Sequence, residues 1–137
     1  MNVIGHGISL MDVSYINDIN RQQRQYLELH CLTVGERNLA RLRIQRLQYL
    51  ASRLAAKNAV LQALERRETQ PILWLEIEIK KLPTGKPFVV LYGNTLKVAT
   101  ERGIIKWLLS ISHTPHYATA SAIALGELEN QRSPVRI

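Results

Sequence analysis

Few residues of this 137-residue chain have the types and spacing that chemistry requires. His113 and His116 lie three positions apart with Pro115 between them, which favours a turn over the helical spacing of a zinc pair. His6 sits between Gly5 and Gly7, where backbone can approach backbone or a ligand closely. Cys31 is the single cysteine, so it forms no internal disulfide and no thiolate cluster, and it reads as a buried thiol. The chain carries no Ser-His-Asp order and no phosphate-cradling glycine loop. Arg21 and Arg24 share one helix face, and 18 Lys and Arg against 11 Asp and Glu give a formal charge of +7. That charge attracts anions, and nucleic acid, a phosphate-bearing cofactor and an acidic protein all satisfy it.

The elements that position these residues follow from periodicity. Leu47, Leu50, Ala51, Leu54 and Leu61 form one stripe of a helix over Arg46–Leu64, and Asn58 falls inside the stripe, about 40° round from Leu54. There an amide must find partners, either as a satisfied core residue or as part of a site. Thr33 and Glu36 have capping-box spacing, so the helix is expected to begin near Val34 and to run, with a bend, to about Arg67. An earlier helix is expected over Ser14–His30, capped by Ser14, after a strand over Asn2–Leu10. Leu73, Leu75, Ile77 and Ile79 alternate with Trp74, Glu76, Glu78 and Lys80 as a half-buried strand, returning through Pro83–Pro87 to a partner over Phe88–Tyr92. A short helix over Asn94–Arg102 ends at Gly103, and strands are expected over Ile104–Ser112 and Tyr117–Leu125.

The sum is a single α+β domain over residues 1–130, a long central helix packed on an antiparallel sheet, with a flexible tail over 131–137. No apolar run approaches the roughly 20 residues of a membrane span. No basic stretch followed by a long apolar one opens the chain, so a cytoplasmic protein is expected.

Four segments in register resemble the holo-acyl-carrier-protein synthase type of 4′-phosphopantetheinyl transferase. They are Ile-Gly-His-Gly-Ile-Ser-Leu-Met-Asp at 4–12, Arg-Leu-Ala-Ala-Lys-Asn-Ala-Val-Leu-Gln-Ala-Leu at 53–64, Thr-Gly-Lys-Pro at 84–87 and Leu-Ser-Ile-Ser-His-Thr at 109–114. The resemblance implies a homotrimer with active sites between subunits, which moves the phosphopantetheine arm of coenzyme A onto a serine of an acyl carrier protein. Magnesium then bridges protein carboxylates and the pyrophosphate. The resemblance also marks Lys57, Lys86, Ser112 and His113 as cofactor contacts, and Arg21 and Arg24 as the face that meets the carrier protein.

The chain departs from that pattern where the metal would bind. Ser9 stands for the family's Asp, Asn58 for its Glu, Gln62 for a Lys and Tyr15 for an Arg. Magnesium is normally held by one or two carboxylates together with substrate phosphates; Ser9 and Asn58 could contribute oxygens, but the charge offsetting the metal falls by two, so magnesium is doubtful. An amide at 58 also lacks a useful pKa for deprotonating the carrier serine, which leaves His113 as the best titratable group. The function expected is a divergent relative that lacks ordinary phosphopantetheinyl transfer. Its interfacial pocket would serve binding or another reaction, with coenzyme A as the implied ligand. Two alternatives stand beside it, an active transferase and a basic nucleic-acid-binding protein, the latter without an aromatic or helix-turn-helix signature.

Overall fold

The computed structural model describes residues 1–65 and 74–127. Strand β1 (Asn2–Asp12) pairs antiparallel with β5 (Tyr117–Gly126), which pairs on its other side with β4 (Ile104–His113), so β5 is the centre of a three-stranded sheet. A separate two-stranded hairpin joins β2 (Ile77–Lys81) to β3 (Pro87–Leu91). Helices α1 (Val13–Asp18), α2 (Arg21–Cys31), α3 (Val34–Arg41) and α4 (Arg46–Ala63) precede the hairpin, and α5 (Gly93–Glu101) follows it.

Helix α4 lies across one face of the large sheet, and the sequence permits a close approach. Ala118, Ala120, Ala122 and Ala124 of β5 point at it and are at most 3% exposed, while α4 answers with buried Ala55, Ala56, Ala59 and Ala63. Two glycines of β1 complete the fit. A Cβ on Gly5 would stand 1.9 Å from the Ala63 carbonyl oxygen, and one on Gly7 would stand 2.1 Å from that of Ala59. No side chain larger than hydrogen is accommodated at either position, which explains the Gly-His-Gly alternation. Leu50, Leu54, Val60 and Leu61 fill the remaining space, each contributing about 1.5–3 kcal/mol of transfer free energy.

Several elements differ from expectation, each for a tertiary reason. The helix expected over Ser14–His30 is two helices, broken at Ile19–Asn20, where Asn20 and Gln23 form a capping box for α2. Ser14 is not the cap of α1; the Asp12 carboxylate accepts from the Ser14 backbone N–H, and β1 runs on to Asp12 because it stays paired with Tyr117. The Thr33–Glu36 capping box is present, but the helix that it starts ends at Arg41, and α4 begins afresh at Arg46. Neither glycine nor proline marks that break. It separates a helix that must bring Glu36 to the hairpin from one that must lie on the sheet. At the other end α4 closes at Leu64, with Glu65 at φ 51°, while Arg67 lies outside the described residues. The strand expected to begin at Leu73, also outside them, starts as strand only at Ile77, after a 3₁₀ turn over Trp74–Glu76. The expected tail over 131–137 likewise lies outside the described residues.

Candidate functional site

Ser9 and Asn58, read 49 residues apart in sequence, meet where β1 crosses under α4: the Asn58 Nδ2 donates to Ser9 Oγ at 2.9 Å. Ser9 faces the helix because it follows Gly7 on the inward face of the strand, and Asn58 lies one residue before the Ala59 that presses on that glycine. One helical turn further on, Gln62 Oε1 accepts from the Ile8 backbone N–H at 3.1 Å. The two side chains at 9 and 58, together with Gln62, thus form one uncharged polar seam, with Ser9 buried, Asn58 half-buried and Gln62 exposed.

This seam does not fit magnesium. An amide and a hydroxyl carry no charge to offset a divalent cation, and they already use each other as partners. The nearest acid in the strand, Asp12, is committed to the Ser14 backbone N–H at 2.9 Å and hydroxyl at 2.6 Å, contacts that hold its carboxyl below the usual range. Among the described residues no three His, Cys, Asp or Glu side chains gather as a metal cluster. His113 and His116 line adjoining depressions that share Ile44, Gln45 and Gln48.

Lys57 requires a correction. The resemblance marks it as a cofactor contact, yet the side chain is 0% exposed and points away from the seam. Its ammonium pairs with Glu36 Oε1 at 2.6 Å and donates to the carbonyls of Cys31 and Trp74. Glu36 in turn accepts from the backbone N–H groups of Thr33 and Ile79, both at 2.9 Å. Burial pulls the Lys57 pKa down and the Glu36 carboxylate opposes it. The residue ties α2, α3, α4 and the hairpin together instead of facing a ligand. Cys31 is buried as expected, and burial raises its pKa.

A cleft of about 550 Å³ opens between the start of α4, the 42–45 turn, the hairpin and the end of β4. His113 lines it, together with Arg43, Tyr49, Arg53 and Lys81, and no carboxylate lines it among the described residues. Arg53 is 3% exposed and its guanidinium lies over the Tyr49 ring at 4.4 Å, with that of Arg43 at 5.1 Å. Arg53 Nε and Tyr49 Oη are buried without a hydrogen-bond partner among the described residues. Burial, then the charges of Arg53 and Arg43, draw the Lys81 pKa below its ordinary value. Unneutralised cations and unanswered donors around one space are the physical requirements of an anion site.

Other expected contacts sit apart from this cleft. Lys86 is exposed at the hairpin tip, between Gly85 and Pro87, which do line the cleft, so Lys81 rather than Lys86 does so directly. Ser112 and His113 are adjacent on a strand and therefore face opposite ways; Ser112 points outward, opposite Thr119. Arg21 and Arg24 both lie in the first turns of α2, Arg21 exposed and Arg24 bonded through its guanidinium to the Asn17 carbonyl at 3.4 Å. Arg43, Tyr49, Arg53 and Lys81 escape sequence reasoning because three separate elements supply them. The available signal is Arg53, which stands four residues after Tyr49, on the same side of the helix, and directly before the apolar Leu54, Ala55 and Ala56.

No family model matches the chain. The chain is 37% identical over 130 residues to a holo-acyl-carrier-protein synthase of Desulforudis audaxviator, covering 95% of this chain and 98% of that one. The solved holo-acyl-carrier-protein synthase of Neisseria meningitidis superposes with a TM-score of 0.81 at 27% identity, covering 90% of this chain and 99% of that one. A coenzyme A complex of the Chronobacterium ammoniagenes enzyme superposes with a TM-score of 0.76 at 26% identity, covering 90% and 97%.

Proposed function

The chain belongs to the holo-acyl-carrier-protein synthase family, and on that premise we propose that it is a divergent member that binds coenzyme A without catalysing ordinary magnesium-dependent phosphopantetheinyl transfer. One observation supports this: Asn58 Nδ2 donates to Ser9 Oγ at 2.9 Å, so the two side chains that the resemblance matches to the family's carboxylates lie together and uncharged. Phosphoryl transfer depends on charge neutralisation and positioning, and these two side chains supply no charge. A general base at 58 is lost with the carboxylate, because an amide does not titrate.

Binding is supported better than catalysis. The phosphates of a nucleotide match the cleft lined by Arg43, Arg53, Lys81 and His113, and a relative of the same fold has been solved with coenzyme A. The acyl carrier protein is the proposed partner, met by Arg21 and Arg24 on α2. A homotrimer is also proposed. Supporting it, the outer face of the sheet exposes Val3, Ile8, Leu10 and Leu108, at 58, 71, 64 and 38%, a row of apolar side chains that association would cover.

The test is incubation of the purified protein with coenzyme A, magnesium and an apo-acyl-carrier protein, followed by intact mass. The expected result is calorimetric binding of coenzyme A with a carrier protein of unchanged mass. Efficient addition of the phosphopantetheine arm would restore the active-transferase alternative.

A further inference from the structure

His6 is singled out by its place between two glycines, yet neither the polar seam nor the cleft uses it. Gly5, Gly7 and Ser9 of β1 face α4, so the alternation of the strand turns His6, Ile8 and Leu10 to the outer face of the sheet. All three are exposed there. Across from His6 on β5 stands Ile123, and across from Ile123 on β4 stands Leu108, so the imidazole ends an otherwise apolar row. The next row, Ile8 with Ser121 and Ser110, adds hydroxyls and no charge.

Among the described residues, the charged groups of this face lie toward its two ends. Lys106 is opposite Leu125, one row from His6 and two strands over, and at the same end the Met1 ammonium meets the Glu127 carboxylate at 4.0 Å. Asp12, with Tyr117 opposite it, lies about 20 Å along β1 and is already bonded to Ser14. This pattern points to another copy of the same chain as the occupant. An acidic partner or a nucleic acid selects basic surfaces, which this face is not. A chain of formal charge +7 repels its own copies wherever basic side chains meet, and here they approach with little like charge between them.

Histidine is the side chain whose charge ordinarily changes between about pH 5 and 8. A covered apolar row accommodates a neutral imidazole. An imidazolium in that place gives up its water with no carboxylate in its row or the next, and its nearest charged neighbour on the face, Lys106, has the same sign. Every copy in an assembly brings one such ring, so the cost recurs with each.

We propose that His6 makes association of copies through the outer sheet face depend on pH: the copies join with His6 neutral and separate as it takes up a proton. The inference rests on the preceding reading, that the chain self-associates through this face, and adds its regulation. The assembled state then holds fewer protons than the separated chains, so association strengthens as pH rises and weakens as pH falls.

The test is sedimentation velocity of the full chain over a concentration series at about pH 7.5 and about pH 5.5, with circular dichroism at both to report that the fold persists. The concentration at which half of the chains are assembled should be at least about tenfold higher at the lower pH, and a smaller rise would overturn the proposal. His30, His113 and His116 are the chain's other histidines. The variants His6→Gln and His6→Leu, uncharged at every pH, separate their effect from that of His6 and should associate at both pH values alike, within about twofold. Variants that keep the native pH dependence would overturn the proposal. So would folded variants that fail to associate at about pH 7.5, because the ring would then be a required contact and not a latent charge. A native chain that stays single at both pH values and every concentration would instead refute self-association itself, and the switch with it.

Discussion

Replacing Lys57 with methionine separates two roles that the family pattern alone confuses. The ammonium is 0% exposed and Glu36 is 1% exposed, so the substitution leaves a carboxylate buried beside two backbone N–H donors and strands the carbonyls of Cys31 and Trp74. Removing one member of a buried pair costs about 3–5 kcal/mol, a large part of the roughly 7–20 kcal/mol that a domain of this length commands. At about 3–5 °C per kcal/mol for this size, thermal unfolding should move down by roughly 10–20 °C. Combining Lys57→Met with Glu36→Gln removes the orphaned charge and should recover about half, since the glutamine oxygen still accepts from Thr33 or Ile79. Melting by circular dichroism measures both variants, and calorimetry at a temperature where Lys57→Met remains folded should return an unchanged coenzyme A affinity. A loss below about 1 kcal/mol accompanied by weakened coenzyme A binding would refute the buried role and return Lys57 to the ligand.

Other outcomes follow from the same geometry. Arg53→Ala should reduce the preference for coenzyme A over dephospho-coenzyme A by about tenfold if the cleft holds a phosphate, and an unaltered ratio in paired titrations would place that phosphate elsewhere. Ile8→Asp, on the outer sheet face and 71% exposed, should lower the mass seen by sedimentation to that of one chain, whereas an unaffected oligomer would exclude this face as its interface. Burial raises the Glu78 pKa, but hydrogen bonds from Tyr92 and Thr33 outweigh it, so the carboxyl titrates below the ordinary glutamate range. Its contribution is then fully present above that ordinary value and is lost as pH falls through the folded one. Tyr92→Phe should raise the Glu78 midpoint in a carboxyl-carbon NMR titration, and a midpoint left in place would remove Tyr92 as a cause.

The parts of the fold that are legible in the sequence are those decided by local pattern. The apolar stripe from Leu47 to Leu61 locates α4, the alternation of Ile77 and Ile79 locates β2, and the turn at Pro83–Pro87 forces the hairpin. The position of Asn58 within that stripe marks a side chain that needs a partner, but Ser9 enters only through the resemblance, and the structure supplies the hydrogen bond between them. What escapes is long-range. The break at 42–45 has no proline or glycine to announce it, and it exists because Glu36 reaches across to Ile79 while α4 turns onto the sheet. Lys57 looks like a solvent cation until Glu36, far away in the chain, is placed beside it. The alternation of a strand, applied to Ser112 and His113, already tells that they cannot share one chain's cleft.

Ser9 and Asn58 give a divalent ion no charged anchor, a claim that manganese, a spectroscopic substitute for magnesium, tests most directly. Electron paramagnetic resonance of Mn²⁺ should be recorded with coenzyme A present, with and without the protein, and again with the Ser9→Asp, Asn58→Glu double variant. The native chain is expected to sequester no more Mn²⁺ than coenzyme A does alone, whereas the double variant gains a protein-bound ion. A bound ion at similar strength in the native chain would contradict the claim.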